Sequence, residues 1–229
     1  MTPELEVCVD GPDSLAKAVA GGADRIELCS ALALGGLTPS PGLIAAARGC
    51  PVPVYAMIRP RAGDFTTSEA ELRQMQAEIA HVRKAGLAGV VLGAATSSGT
   101  LDMAALRRLS RTADGLGRTL HRVVDDLHDP GDAVGPAIAL GFERILTSGG
   151  AASAFEGRDV LRHMIDRADG QIGIMAGGGV LADVVPDLAA IGITSFHASC
   201  AIDTSTTGAR VLDPNRLAAL RRAVADLAI

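Results

Sequence analysis

Eight short runs of strand character recur along this chain, each followed by a stretch of helical character. Their centres fall near Val7, Glu27, Ala56, Val91, Leu120, Ile145, Gly173 and Phe196. Helical periodicity is clearest from Ser68 to Ala85, where Leu72, Met75, Ile79 and Val82 form one stripe. Ser68 and Glu71 have capping-box spacing, while Asp102, Asp129 and Asp213 stand where further helices begin. No linker, charge block or low-complexity stretch interrupts the alternation. Eight β–α units in 229 residues predict one α/β domain over residues 1–229, a single (β/α)8 or TIM barrel, rather than an open sheet.

Strand parity sharpens that expectation. In a barrel, alternate residues face the helices and the interior. Leu5, Val7 and Val9 then face outward, leaving Glu6, Cys8 and Asp10 inside or at the mouth. By the same rule Glu27, Cys29, Tyr55, Met57, Arg59, His121, Met175, Ser195 and His197 point inward. So polar an interior needs internal partners, because buried charges must be paired.

Composition excludes several classes. With 48% hydrophobic and only 2% aromatic residues, the core is built from Ala, Val, Leu and Ile. A net charge of −5 gives no general attraction to nucleic acid or to an anionic membrane. No apolar run approaches the ~20 residues of a membrane span, and the N-terminus reads as no signal segment. Four cysteines without C-x-x-C spacing argue against a disulfide framework or a zinc ribbon and fit a reduced, cytoplasmic setting.

Sites in such barrels form at the C-terminal ends of the strands. A pocket there would take a small anionic metabolite, phosphorylated or carboxylated, with Glu27 or His121 as acid–base group. Arg59 and Arg61 offer guanidinium groups suited to such an anion. The turns at Ser148-Gly149-Gly150 and Ala176 to Gly179 offer backbone N–H groups to an oxyanion. Asp125, Ser148, Gly149, Gly177, Gly178 and His197 complete the candidate binding set. The plainer alternative is that the arginines tie the rim to Asp64 or Glu27 and the glycines ease a tight exit from the barrel.

Cys8 and Cys29 share the inward parity on adjacent strands and are expected at corresponding positions, about 4.8 Å apart across the strand spacing. With Met57 on the next strand they form a soft donor set suited to Cu(I). Equally, buried cysteines pack as small hydrophobes. Cys50 belongs to the opposite end, and Cys200 lies just past the eighth strand. The only lysines, Lys17 and Lys84, sit on helices, which excludes a Schiff-base mechanism.

Several segments carry a family resemblance: EVCVD at Glu6, GGADRIELCS at Gly21, GGLTPS at Gly35, MIRPRAGDF at Met57, GFERILTSGG at Gly141, MAGGGV at Met175 and FHAS at Phe196. In this order they resemble the CutC family, named for copper homeostasis. The resemblance implies a (β/α)8 barrel, a cytoplasmic protein, and a homodimer or higher homo-oligomer. It further implies copper, as Cu(I), held through Cys8 and Cys29. The chain departs from the family pattern at Ala62, at Val123-Val124, and after Ser199, where Cys200 and a TSTTG loop follow.

Overall fold

In the computed structural model, which describes residues 2–203 and 210–227, eight parallel strands close into a barrel. They are β1 (Glu4–Val9), β2 (Arg25–Leu28), β3 (Val54–Met57), β4 (Gly89–Leu92), β5 (Gly117–Leu120), β6 (Arg144–Thr147), β7 (Gly173–Ala176) and β8 (Ser195–Ala198). Each pairs with the next in chain order, and β8 returns to β1 through Glu6 opposite His197. All eight expected strand centres fall within these strands. The TSTTG loop lies outside the described residues.

The connecting helices are α1 (Pro12–Ala20), α2 (Pro41–Ala46), α3 (Glu69–Ala85), α4 (Met103–Thr112), α5 (Val134–Ala139), α6 (Arg158–Ala168), α7 (Val185–Ala190) and α8 (Pro214–Asp226). Their starts follow local chemistry. Ser68 and Glu71 form the capping box of α3, Ser40 Oγ accepts the Leu43 N–H at α2, and Asp102 accepts two amides at α4. The α3 stripe Leu72, Met75, Ile79 and Val82 is buried, as are the outward strand residues Leu5, Val7, Ile26, Leu28, Ala56, Leu120, Ile145 and Phe196. This shell between sheet and helices is the main core. An antiparallel pair, β9 (Ala201–Asp203) and β10 (Arg210–Leu212), intervenes between β8 and α8. Among the described residues, no helix is long and apolar enough to cross a membrane.

Inside the barrel, charge takes the place of apolar filling. Glu6, Arg25, Glu27, Thr119, His121 and His197 are all buried. Arg25 pairs with Glu6, donates to Thr119 Oγ1 at 2.6 Å, and lies 3.2 Å over the Tyr55 ring. Tyr55 in turn donates to Glu143 at 2.8 Å. The buried Glu6 and Arg25 thus neutralise one another, as the cost of desolvation requires.

Candidate functional site

Above this charged floor, at the C-terminal ends of the strands, opens a cavity of about 460 Å³. Glu27, Arg59, His121 and His197, from four different strands or strand ends, all line it, together with Cys8, Met57, Phe65, Gly178 and Cys200. Six of the candidate residues, Cys8, Glu27, Arg59, His121, Gly178 and His197, therefore share one space.

His197 sits between two carboxylates. Its Nδ1 is 2.8 Å from Glu6 Oε1, and its Nε2 is 3.7 Å from Glu27 Oε2. Burial opposes a charge on the ring, but Cys8, Glu27 and Glu6 outweigh burial and carry its pKa well above the ordinary imidazole range. For Glu6, burial also opposes the charge and so pulls the pKa upward. The His197 hydrogen bond and the Arg25, His197 and Arg144 charges prevail, holding it down at about 2. Glu27 behaves oppositely: burial and the nearby Glu6 raise its carboxyl against His197 and Arg25. Its Oε2 accepts from Cys29 Sγ at 3.4 Å, while Oε1 is buried without a partner among the described residues. Two carboxylates on adjacent strands are thereby driven in opposite directions, one a fixed anion and the other a group able to hold a proton.

His121 follows β5 and is also buried. Its Nδ1 accepts the Val123 N–H at 3.1 Å, and its ring lies 4.8 Å from that of Phe65. Burial, then the charge of Arg59, lowers its pKa to about 3, so the ring is neutral at physiological pH. The Arg59 guanidinium is held by the carbonyls of Leu34, Gly36 and Gly63, with no hydrogen-bonded carboxylate among the described residues. Asp126 bears on its charge without a hydrogen bond, and Arg59 lines the cavity.

Other candidates are placed differently from expectation. Arg61 does not line the cavity: it pairs with Asp64 at 2.8 Å and with Glu71 at 2.6 Å. Both arginines stand past the end of β3; Arg59 keeps the inward face, while Arg61, further out, is drawn to the carboxylates of the following loop and of α3. The Gly149 turn is filled by the chain's own anion. Asp125 accepts the N–H groups of Ser148 and Gly150 and the Thr147 hydroxyl, while the Gly149 N–H goes to Thr147 Oγ1. Asp125, Ser148 and Gly149 are thus a self-contained lock on the β6 exit, with Arg122 clamped onto both Asp125 and Ser148. Gly177 gives its N–H to the Thr147 carbonyl and lies outside the cavity lining. Gly178, Gly179 and Val180 do line it, and their N–H groups have no acceptor among the described residues.

The thiols also differ from expectation. Cys8 lies opposite Glu27, not Cys29. Cys29 stands two residues further along, its N–H bonded to the Val9 carbonyl, and packs in a small buried cluster with Tyr55, Met57 and Val91. The donor atoms that converge are Cys8 Sγ, a Glu27 oxygen and a His197 nitrogen, within 4.8 Å of one another. Thiolate and imidazole suit Cu(I), whereas the carboxylate is a hard donor that suits a borderline divalent ion better. Burial raises the Cys8 and Cys29 thiols, so either must lose a proton to bind.

Sequence parity did not single out Arg25, the counter-ion of Glu6. The signal was present: it precedes Glu27 by two residues and so shares its face.

The chain matches the CutC family model over residues 3–202. A family protein CutC from Rhizobium meliloti is 52% identical over 219 residues, covering 95% of this chain and 89% of that protein. Another from Caulobacter vibrioides is 52% identical over 196 residues, covering 85% and 80%. A Streptococcus agalactiae CutC structure, named as a candidate copper homeostasis protein, superposes with a TM-score of 0.82 at 30% identity, covering 86% of this chain and 99% of that one. The chain belongs to the CutC family.

Proposed function

We propose that the cavity is an enzyme active site for a small anionic metabolite, with Glu27 as the proton-transfer group and Arg59 as the anchor for the anion. One observation carries this reading. Glu27, whose buried Oε1 has no partner among the described residues, lines the same cavity as Arg59, which among those residues hydrogen-bonds only neutral carbonyls. The open amides of Gly178 to Val180 add donors on the opposite wall. The test is a thermal-shift screen of phosphorylated and carboxylated metabolites, since a ligand bound by the native state alone raises apparent stability. A hit is then incubated in D2O. Wild type should exchange a ligand hydrogen for deuterium, and Glu27→Gln should bind without exchanging. If no anion raises the Tm, the reading fails.

A second reading, Cu(I) binding in a copper-handling protein, is favoured by the Cys8–Glu27–His197 convergence and by the name of the Streptococcus agalactiae relative. Cys8 Sγ is its principal donor, with Cys29 as the second thiol beside Glu27. The four free cysteines fit work in a reducing cytoplasm. Titration against a competing Cu(I) chelator tests it.

A further inference from the structure

We propose that His121 is the fixed hydrogen-bond donor of the cavity, offering Nε2–H from a neutral ring to a ligand oxygen, and is not an acid–base group. The ligand class that fits is a small carboxylate bearing a carbonyl or hydroxyl oxygen on the neighbouring carbon. This deepens the anion reading above and rests on it.

The tautomer follows from one contact. The Val123 N–H donates to Nδ1 at 3.1 Å, so Nδ1 presents its lone pair and the proton of a neutral ring resides on Nε2. Nε2 is buried and has no partner among the described residues. A buried donor of that kind needs an acceptor, and the described residues supply none.

The ring is held in place before any ligand arrives. A Cβ added at Gly93 would come within 2.6 Å of Nδ1, so the imidazole lies directly on the Gly93 backbone. Phe65 covers it at 4.8 Å between centroids, tilted by 44°. The charged group bearing on His121 is Arg59, which opposes protonation. Arg122, its neighbour in sequence, is turned to Asp125 and Ser148. Among the described residues no carboxylate favours an imidazolium here, in contrast to His197.

The same geometry selects the ligand. Arg59 lies 4.7 Å from the Phe65 ring that His121 also flanks, and all three line the cavity, so the guanidinium and the imidazole border the same part of it. A carboxylate on Arg59 places the oxygen of its adjacent carbon toward His121. Glu27 lines the same cavity, where a proton of that carbon or its hydroxyl can be exchanged. A neutral imidazole donor stabilises negative charge developing on oxygen without itself giving up a proton.

The experiment is ¹⁵N spectroscopy of histidine-labelled protein, with His121 among the five histidines assigned by the loss of its signals in His121→Gln. The free protein should show the neutral Nε2–H tautomer, unchanged from pH 5.5 to 8.5. Oxalate, the probe, should shift the Nε2–H proton downfield to saturation. His121→Phe should weaken oxalate by about tenfold, the worth of one hydrogen bond, and His121→Gln should recover part of it through its amide. Titration of the ring within that range, or an Nδ1–H tautomer, overturns the proposal. So does oxalate binding at wild-type affinity in His121→Phe, an outcome that leaves the anion site itself standing. If oxalate and the wider panel both fail to bind wild type, the anion reading falls and takes the ligand assignment with it, while the free-protein spectrum still decides donor against base.

Discussion

Cys8 lies opposite Glu27 across the β1–β2 pairing, so its sulfur shares the cavity with a carboxylate rather than with the second cysteine. That pairing brings a thiol, a carboxyl and the His197 ring within 4.8 Å, while Cys29 is sealed among Tyr55, Met57 and Val91. The two thiols are therefore not equivalent. If Cu(I) binds here, Cys8→Ser should lose most of the affinity and Cys29→Ser less, with Cys50→Ser matching wild type. A Cu(I)-chelator competition reads this directly, and equal losses at Cys8 and Cys29 count against the asymmetry.

The floor beneath the cavity sets the acid limit of stability. Glu6 is held at about 2 in the folded chain against an ordinary 4.5, so its contribution is present above 4.5 and disappears as pH falls toward 2. His121 works in the same direction over a higher window. The unfolded chain binds a proton near 6.5 and the folded ring only at about 3, so stability falls as pH drops from 6.5 to 3. Urea unfolding as a function of pH should show a steady acid-side loss, and His121→Gln should flatten its upper part. Glu6→Gln, which strands the Arg25 guanidinium in the barrel, should cost about 3–5 kcal/mol at pH 7. A loss below about 1 kcal/mol would show that Arg25 does not depend on Glu6.

How much of this was legible in the sequence depended on the range of the governing physics. Alternation within a strand is local, so the inward set Glu6, Cys8, Glu27, Met57, His121 and His197 could be read from parity alone. The register between strands is not local. It is fixed by closure of the whole barrel, which is why Cys8 meets Glu27 instead of Cys29. Parity fades with distance past the strand: Arg59, two residues beyond β3, still lines the cavity, while Arg61, four residues beyond it, turns to Asp64 and Glu71. Glycines at 149 and 150 mark a turn with open amides, but not that Asp125, far back in the chain, fills it.

That Asp125 lock carries its own test. Removing the carboxylate in Asp125→Ala leaves the Ser148 and Gly150 amides and the Thr147 hydroxyl without their acceptor. Each unmet group costs about 1–3 kcal/mol, so the variant should lose several degrees of Tm. Inorganic phosphate, entering the vacated turn, should restore part of that loss, and should do so far less in wild type. Absence of rescue means that the turn collapses when its internal anion is removed.

Gly93 is predicted to be intolerant of any side chain. An added Cβ would lie 2.6 Å from His121 Nδ1 and 2.7 Å from Val123 Cγ1, displacing the ring from its Val123 contact. Gly93→Ala should cost about 1–3 kcal/mol as an overpacking substitution. Ala94→Gly, one position on, should not disturb the His121 signals. If Gly93→Ala leaves the His121 ¹⁵N spectrum unchanged, the backbone there is not what positions the ring.

The arginine pair separates the anion reading from the copper reading. Arg59 and Arg61 are two residues apart and equally cationic in sequence, yet of the two Arg59 alone lines the cavity, alongside Arg122, Arg210 and Arg216. Arg61 is neutralised by Asp64 and Glu71, whereas Arg59 hydrogen-bonds only neutral carbonyls among the described residues and lies over the Phe65 ring, with Asp126 the carboxylate that bears on its charge. A nearby guanidinium repels a copper ion and attracts a carboxylate or phosphate. Arg59→Ala should therefore abolish the thermal shift given by an anionic ligand while leaving Cu(I) affinity unchanged or slightly raised. Arg61→Ala should keep the ligand shift and lose only local stability at the α3 cap, where Arg61 contacts Glu71. Charge-assisted contacts of this kind contribute about 1.5–3 kcal/mol, so the Arg59 effect on ligand affinity should exceed tenfold. If Arg59→Ala and Arg61→Ala respond alike, the anion is held by general positive charge at the rim and not by the cavity.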